Sequence, residues 1–412
     1  MPGVKFAPRT RRSVVALTLV LGLLTPLLLG GSAVASRRAV PFGFLGVMAD
    51  GILLNPKVSL NSEMTQMVRT GVESVRVGVY WSAVQPYASA AQVPAAVASQ
   101  YPLQNGVPTD WSASDQFYAA AAAHGLQVLP VILQAPAWAR KDPTQEWSPP
   151  ADPNAYGQFV GLVVQRYGPN GTFWAAHPNL RPDPSNQWQI WNEPAGGTTA
   201  NSGSLFWADP EPFQLPYIAM LRASRTAIKA ADPQGQVVLA GLFGRSWIAL
   251  QSLYQDGARG LFDAVAINIF TRYPQNVILA LKYNRDVMDR FGDKSLPLLA
   301  TEFSWPSALG HVPEATDRNY GYDTTLAGQA ANLTSVLKLM VANRTALNLQ
   351  QVFWYTWLTR DAALDSSFEY AGLRHLNQTT LKITPKPAQG AYRQAAEQLE
   401  GCSKSTLATA CG

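Results

Sequence analysis

The sequence predicts a single (β/α)8 TIM barrel, and three observations support this α/β fold class. Eight short apolar segments alternate along the chain with eight segments of helical pattern. The apolar segments are continuous runs, as in parallel strands that are buried on both faces. Composition does not change between the two halves of the chain, and no stretch has the character of an interdomain linker. Eight βα units without such a boundary favour one closed barrel over two doubly wound domains.

The elements follow one another in a regular order, and several predicted helices stop at a glycine, which suits a helix C-terminus. The predicted strands are Phe42–Met48, Ser74–Tyr80, Leu126–Leu133, Trp188–Trp191, Gln236–Ala240, Phe262–Ile269, Leu296–Thr301 and Gln351–Trp357. The predicted helices are Leu60–Thr70, Ser112–His124, Pro153–Tyr167, Phe213–Ala231, Trp247–Asp256, Asn276–Phe291, Thr324–Asn343 and Pro387–Leu399. Long loops follow many of the strands and carry tryptophans, which would line a cleft at the C-terminal face of the barrel.

Composition and charge exclude some classes of protein. Hydrophobic residues make up 47% of the chain and charged residues 14%, so most of it is folded. The net charge of +5 comes mainly from residues 1–35, without which 28 basic residues stand against 27 acidic ones. The rest of the chain has no basic cluster interleaved with aromatic residues, so nucleic acid is not an expected partner.

The first 35 residues have the pattern of a secretory signal peptide. A basic segment precedes the apolar run from Val14 to Leu29, and Ala33-Val34-Ala35 provides small residues for cleavage. We expect cleavage after Ala35, secretion or an extracytoplasmic location in the cell envelope, and no membrane attachment of the mature protein. The alternative is an uncleaved N-terminal anchor. Residues 36–400 then form the barrel, and residues 401–412 form a C-terminal tail.

The tail contains both cysteines of the chain, Cys402 and Cys411, which could form a disulfide in an oxidising compartment. The four histidines do not have the spacing of metal ligands, and neither a Gly-x-Ser-x-Gly elbow nor a P-loop occurs. The sequence therefore predicts neither a cofactor nor a metal.

Two glutamates stand out as candidate catalytic residues. Glu193 follows the predicted fourth strand and Glu302 follows the seventh, so a closed barrel brings both to the same mouth. Glycoside hydrolysis needs two carboxyl groups: one acid protonates the leaving oxygen, and one carboxylate stabilises or attacks the anomeric carbon. The sequence therefore predicts an enzyme that acts on an oligosaccharide or polysaccharide.

The motifs around these glutamates resemble those of clan A of the glycoside hydrolases, most closely family 39 and its relatives. Trp191-Asn192-Glu193-Pro194 resembles the Asn-Glu motif after strand four, and Thr301-Glu302-Phe303-Ser304-Trp305 resembles the glutamate motif of strand seven. Pro136-Ala137-Trp138-Ala139 resembles the family's Pro-x-Trp-Ala segment after strand three, and Val75-Arg76-Val77 resembles the strand-two segment that carries an arginine. The resemblance extends over residues 42–400.

This resemblance implies a retaining mechanism in two steps, with carboxyl groups about 5–5.5 Å apart. Glu193 would be the acid and base, and Glu302 the nucleophile. Asn192 would bind the 2-hydroxyl of the sugar, and Arg76 would orient the Glu302 carboxylate and keep it ionised. An ion pair of purely structural role is the alternative for Arg76.

One position departs from the family pattern. Clan members often have His-x-Tyr near the end of strand six, but this chain has Asn268-Ile269-Phe270 there. Either Tyr273 reaches the nucleophile from the following loop, or that contact is missing. The candidate substrate-binding residues are therefore Arg76, Asn192, Asn268, Tyr273 and three tryptophans that would stack on sugars, Trp138, Trp305 and Trp354. Trp354 is preferred to Trp357 as the floor of the site.

Three functions are compatible with these residues. The first is a secreted hydrolase that cleaves O-glycosidic bonds, with β linkage expected, by double displacement. The second is a catalytically degenerate barrel that binds carbohydrate, and the third is a transglycosylase that remodels wall polysaccharide with the same residues. Retention of both glutamates favours an enzyme. The sugar, its linkage, and the choice between exo and endo action stay open.

Overall fold

The computed structural model describes residues 38–49, 51–195, 206–317 and 321–411. Its main strands are β1 Leu45–Met48, β2 Ser74–Tyr80, β3 Gln127–Leu133, β4 Gln187–Ile190, β5 Gln236–Val238, β6 Val265–Asn268, β7 Leu298–Phe303 and β8 Leu349–Trp354. Its main helices are α1 Leu60–Thr70, α2 Ser112–His124, α3 Pro153–Tyr167, α4 Gln214–Ala231, α5 Ser246–Gln255, α6 Pro274–Arg290, α7 Leu326–Leu347 and α8 Pro387–Glu400. The predicted leader and its cleavage site lie outside the described residues.

The eight strands form one closed sheet. Each pairs in parallel with its neighbours, in the order β5-β4-β3-β2-β1-β8-β7-β6. Parallel bridges between Val238 and Ala264 and between Leu242 and Ile267 join β5 to β6 and complete the circle. The predicted (β/α)8 barrel is therefore confirmed. Closure brings the C-terminal ends of all eight strands to one mouth.

Side chains fill the barrel interior below that mouth. A compact apolar layer comes from five of the strands and from the residue just before β6, and it consists of Leu129, Val238, Ala264, Ala266, Leu299 and Phe353. Strand residues alternate between the interior and the helix layer, so this layer identifies the inward positions on β6 and β8. By that alternation, Asn268 and Tyr355 continue the inward rows toward the mouth.

Predicted and observed bounds agree for α1, α2, α3 and β2 and differ mainly at strand ends. Trp191 lies outside β4, because its φ of 66° is incompatible with an extended strand. β7 continues to Phe303, so Glu302 lies inside the strand and not after it. β8 ends at Trp354 and not at Trp357.

Shorter elements occupy the loops. A hairpin and a three-stranded sheet consist of Leu103–Gln104, Val107–Pro108, Leu358–Thr359, Arg374–Leu376 and Ile383–Pro385, and two short helices are Trp81–Val84 and Thr172–Ala176. The 3-10 helices are Gly51–Leu54, Ala90–Gln92, Ala95–Gln100, Ala137–Ala139, Ser367–Tyr370 and Ala408–Cys411. Within the described ranges, every helix is too short or too polar to cross a membrane.

The C-terminal tail is attached to the N-terminal face of the barrel. Cys402 and Cys411 form a disulfide, which closes a loop that contains Lys404. Lys404 Nζ donates to Glu73 Oε1 at 2.6 Å and to Glu400 Oε2 at 2.5 Å. Because Glu73 immediately precedes β2, these contacts join the tail to the end of that strand opposite the mouth.

Candidate active site

The turn after β4 carries the first two candidate residues. Trp191 and Glu193 both have positive φ values, 66° and 44°, which cost non-glycine residues on the order of 1–3 kcal/mol each. The Trp191 indole is buried and donates to Phe206 O at 2.7 Å, which fixes the turn. The Glu193 N–H donates to Gly241 O at 3.2 Å, so the turn is also attached to the segment after β5. Asn192 and Glu193 consequently lie at the mouth, with 6% and 8% exposure.

A bulge in β7 presents Glu302 to the same space. Ile267 pairs with Ala300, but the next residue of β6, Asn268, pairs with Glu302, so β7 has one extra residue there. Because of this insertion, Thr301 and Glu302 both lie beside Asn268, although adjacent residues of a regular strand face opposite ways.

Arg76 of β2 connects the candidate residues. Its fully buried guanidinium donates to Glu302 Oε1 at 2.6 Å and to Asn192 Oδ1 at 2.8 Å. Its Nε donates to Gln189 Oε1 at 2.9 Å. Three donors of one rigid planar group therefore fix the positions of a carboxylate of β7 and of two amides in β4 or just after it.

Asn268 connects Glu193 to this network. Its Nδ2 donates to Glu193 Oε1 at 2.7 Å and lies 3.3 Å from Asn192 Oδ1. Thr301 Oγ1 donates to Asn268 Oδ1 at 2.8 Å, which orients the amide so that its NH2 group faces Glu193. A Cβ at position 241 would lie 2.5 Å from Asn268 Oδ1, so Gly241 leaves the room that this side chain needs.

The electrostatics differ between the two carboxyl groups. Burial and, second, the nearby Glu302 raise the pKa of Glu193 to about 8, although the Asn268 hydrogen bond and the charge of Arg76 act in the opposite direction. Glu302 instead contacts the guanidinium directly. At neutral pH the site therefore holds a protonated carboxyl group on Glu193, which can donate a proton, beside a carboxylate paired with arginine.

The structure does not bring all the predicted aromatic residues to this site. Trp138 is 37% exposed and donates from Nε1 to Gln85 O, so it lies on the open loop after β3. Tyr273 is 55% exposed, stacks with Arg272, and has no hydrogen bond to either glutamate within the described part of the chain. Tyr273 therefore does not supply the contact to the candidate nucleophile Glu302 that was considered from the sequence.

Trp305 and Trp354 correct another expectation. Both are 1% exposed, and their indole N–H groups donate to Arg272 O and Ala371 O. A sugar would have no ring face on which to stack, so Trp354 is not positioned as the floor of the site. Alternation along β8 directs the partly buried Tyr355 inward instead.

Tyr355 belongs to an aromatic cluster on this side of the mouth. Its ring lies 5.9 Å from the rings of Phe270 and Phe368, and Tyr322 lies 6.4 Å from both phenylalanines. All four residues are partly exposed. Phe270, at the position where the family pattern has tyrosine, therefore packs against other rings and has no hydroxyl to offer Glu302.

Three residues near the site, Gln189, Thr301 and Tyr355, were not among those predicted from the sequence. The alternation of side chains along a strand could have identified two of them. Gln189 lies two residues before the end of the predicted fourth strand, and Tyr355 lies two residues after the inward-facing Phe353. Thr301 could not be identified in this way, because the bulge changes the alternation along β7. Among the described residues, no group of three or more histidines, cysteines or acidic residues could hold a metal ion.

Comparisons with known proteins support the architecture. No protein-family model matches the chain, and no curated protein matches its sequence. Solved structures do match, including a family 39 glycoside hydrolase from Bacteroides cellulosilyticus, with a TM-score of 0.56 and 16% identity over 89% of this chain. A monomeric beta-xylosidase from Caulobacter crescentus has a TM-score of 0.57 and 17% identity over 87% of this chain.

A hyperthermophilic beta-glucosidase from Pyrococcus furiosus is also similar, with a TM-score of 0.56 and 15% identity over 84% of each chain. This chain spans 65% of the Bacteroides protein and 69% of the Caulobacter protein. At these identities the likeness shows a shared fold. It agrees with the barrel that the family resemblance predicted.

Proposed function

We propose that the protein is a retaining glycoside hydrolase that cleaves β-linked glycosides. One observation carries the proposal: Arg76 and Asn268 place an arginine-paired carboxylate and a protonated carboxyl group together at the barrel mouth. Double displacement at an anomeric carbon requires that combination of nucleophile and acid. The xylosidase and glucosidase named among the similar structures support a β-linked substrate.

In the first step, the Glu302 carboxylate attacks the anomeric carbon while the bond from that carbon to the leaving oxygen breaks. Glu193 gives its proton to the leaving oxygen, and a glycosyl ester forms on Glu302. Arg76 fixes the direction of the carboxylate through a 2.6 Å hydrogen bond before the attack. Positioning of this kind removes part of the entropy cost of the reaction.

In the second step, water attacks the glycosyl ester, and Glu193 accepts a proton from that water. Esterification has removed the charge of Glu302, which is the second-largest cause of the raised Glu193 pKa. The pKa of Glu193 therefore falls when the intermediate forms, so the same group can act as a base. Release of the sugar restores the charge on Glu302 and again raises that pKa.

Asn192 is suited to binding the 2-hydroxyl of the reacting sugar. Its Oδ1 accepts from Arg76 at 2.8 Å and lies 3.3 Å from Asn268 Nδ2. Among the residues that the structure describes, its amide nitrogen donates to none. That NH2 group can therefore donate to a sugar hydroxyl, and a hydrogen bond there strengthens in the transition state.

We also propose that the mature protein is exported and begins at Ser36. The leader pattern and the disulfide between Cys402 and Cys411 both support an oxidising compartment. N-terminal sequencing of protein recovered outside the cytoplasm is expected to start at Ser36. Recovery of the intact N-terminus on membranes would support the anchored alternative.

The enzymatic proposal is tested by screening aryl glycosides and cell-wall polysaccharides with wild-type protein and Glu302→Gln. Wild type is expected to release the aryl group, and Glu302→Gln is expected to lose that activity by on the order of 10⁴-fold or more. Activity in a folded Glu302→Gln protein within a few-fold of wild type would contradict the nucleophile assignment. Sugar binding without turnover by wild type would favour the carbohydrate-binding alternative.

A further inference from the structure

A cavity of about 290 Å³ lies beside Asn268, outside the network of Arg76 and Glu302. It lies between the first turn of α5, the first three turns of α6 and the end of β6. Its lining includes Trp247, Asn268, Phe270, Asn276, Leu279 and Tyr283. We call this cavity the side pocket.

Two contacts connect the side pocket to Glu193. Asn268 lines the pocket and donates to Glu193 Oε1 at 2.7 Å. Gly241 accepts the Glu193 N–H at 3.2 Å, and Gly244, three residues later, lines the pocket. The pocket is therefore adjacent to the carboxyl group that would protonate the leaving oxygen.

The lining suits a ring that has an apolar face and a polar edge. The rings of Trp247 and Tyr283 lie 4.9 Å apart at an angle of 51°, and Tyr283 is 41% exposed, so the pair is open to solvent on one side. Asn276 adds an exposed amide that can bind hydroxyl groups, whereas the Asn268 amide is already bonded to Glu193 and Thr301. Aromatic rings with a few polar side chains are typical of small-molecule sites, and this volume is near the lower limit for such sites.

We propose that the side pocket binds the leaving group of the substrate, a single six-membered ring with an apolar face. This inference rests on the proposed function, because a pocket beside Glu193 receives the leaving group only if Glu193 is the acid that protonates it. Two sources provide such a ring: an aryl aglycone, or the next sugar unit of an oligosaccharide. The sugar that is transferred to Glu302 lies on the side of Arg76 and does not use this pocket.

The test compares substrates that share one β-linked sugar and differ only in the leaving group. Wild type, Trp247→Ala and Tyr283→Ala are assayed with a methyl glycoside, a phenyl glycoside and a disaccharide. Loss of either pocket ring is expected to lower kcat/KM by about 10–100-fold for the phenyl glycoside or the disaccharide, because an apolar contact to the leaving group is lost. The kcat/KM for the methyl glycoside is expected to change little, because methyl is too small to contact these rings. A loss confined to the phenyl glycoside identifies an aryl site, and a loss confined to the disaccharide identifies a sugar subsite.

Phe42→Ala is the matched control, because it removes an exposed ring just before β1, at the end of the barrel opposite the mouth, and is expected to retain wild-type kcat/KM for all three substrates. Thermal unfolding of each variant verifies folding, and the exposed Tyr283 supplies a readout if Trp247→Ala does not fold. An equal loss for all leaving groups, or no loss for any, overturns the pocket proposal while the proposed function stands. Absence of turnover of every glycoside by wild type overturns both.

Discussion

The barrel has a buried pair of glutamates at each end, and the two pairs differ in their partners. At the mouth, Glu302 contacts the Arg76 guanidinium, whereas Glu193 accepts a hydrogen bond from the neutral amide of Asn268. Both carboxyl groups retain a small exposed fraction. This pair is therefore reachable from the cleft, and its members differ in charge at neutral pH.

At the opposite face, Glu73 and Glu400 share a cation. Lys404 donates to both carboxylates, and Arg38 Nη2 donates to both oxygens of Glu73 at 2.8 Å. Burial and, second, the charge of Glu73 raise the pKa of Glu400 to about 7. The tail loop covers this pair, and the side chains of Lys404 and Glu73 are fully buried.

A raised carboxyl pKa occurs in both pairs and so does not by itself identify a catalytic site. The distinction lies in access and in the partners. Two basic residues beside two carboxylates make a closed cluster that holds the tail to the barrel. One arginine beside two carboxyl groups, open to a cleft, leaves a proton available for transfer.

Apart from replacement of the nucleophile itself, the largest expected effect comes from removing the cation at the mouth. Arg76→Met leaves the Glu302 carboxylate without its guanidinium and releases Asn192 and Gln189. We expect kcat to fall by about 10²–10³-fold, the cost of losing one strong preorganised donor. Arg76→Lys keeps the charge but not the planar donors, and should recover only part of the loss. Wild-type kcat in a folded Arg76→Met protein would contradict the positioning role.

The equivalent change at the opposite face should affect stability and not catalysis. Lys404→Met leaves Glu73 and Glu400 buried with less compensation, at an expected cost of about 3–5 kcal/mol in the free energy of unfolding. Denaturant unfolding measures this cost. Glycosidase kcat at a temperature where the variant is folded should stay within about twofold of wild type, since distant sites act independently. A large loss of kcat would remove the distinction between the two pairs.

Opening the tail loop should have a smaller effect of the same kind. Cys402→Ser removes the disulfide that closes the loop around Lys404. The chain-entropy relation for a loop of this length gives a cost of about 2–3 kcal/mol. Unfolding of Cys402→Ser and Lys404→Met, singly and together, measures the coupling between the disulfide and the ion cluster. If the double variant loses as much free energy of unfolding as the two single variants together, the disulfide does not support the Lys404 contacts.

Neutralising Glu193 is expected to increase stability. Folding raises the pKa of Glu193 from 4.5 to about 8, so the folded state binds more protons than the unfolded state between these values. Stability therefore falls as pH rises through this window, and Glu193→Gln should remove that fall. We expect a Tm increase of roughly 2–4 °C at pH 8 and none near pH 4. A gain that is independent of pH would contradict the raised pKa.

The same group sets the expected pH dependence of activity. The acid form of Glu193 is required for the first step, so kcat/KM should decline as pH rises through about 8 in wild type. Glu193→Ala should lack this alkaline limb when it is assayed with an aryl leaving group that needs no protonation. A retained limb in that variant would assign the titration to another group.

The sequence was sufficient for the barrel because each strand was a continuous apolar run and each helix had a recognisable end. It also predicted that Glu193, Glu302, Arg76 and Asn192 converge, since the ends of parallel strands in a closed barrel share one mouth. The contact of Asn268 with Glu193 was not predicted, because it depends on the space left by Gly241 and on the bulge in β7.

The aromatic residues were the least predictable part of the site. Tryptophans in mouth loops can stack on a ligand or fill the core, and spacing does not distinguish these roles. Trp305 and Trp354 fill the core, whereas Tyr355 and Phe270 are the rings left partly exposed at the mouth. The ion cluster of Lys404 was also not apparent, because it joins residues more than 300 positions apart.

The most direct test of the division between acid and nucleophile uses Glu193→Ala with an activated aryl β-glycoside. We expect a glycosyl ester to accumulate on Glu302, identified by mass spectrometry of its peptide, because the first step needs no acid with such a leaving group. Added azide should restore turnover and give a β-glycosyl azide, since attack on the ester no longer needs a base. An adduct on another residue, no adduct in a folded variant, or an azide product of α configuration would contradict the account.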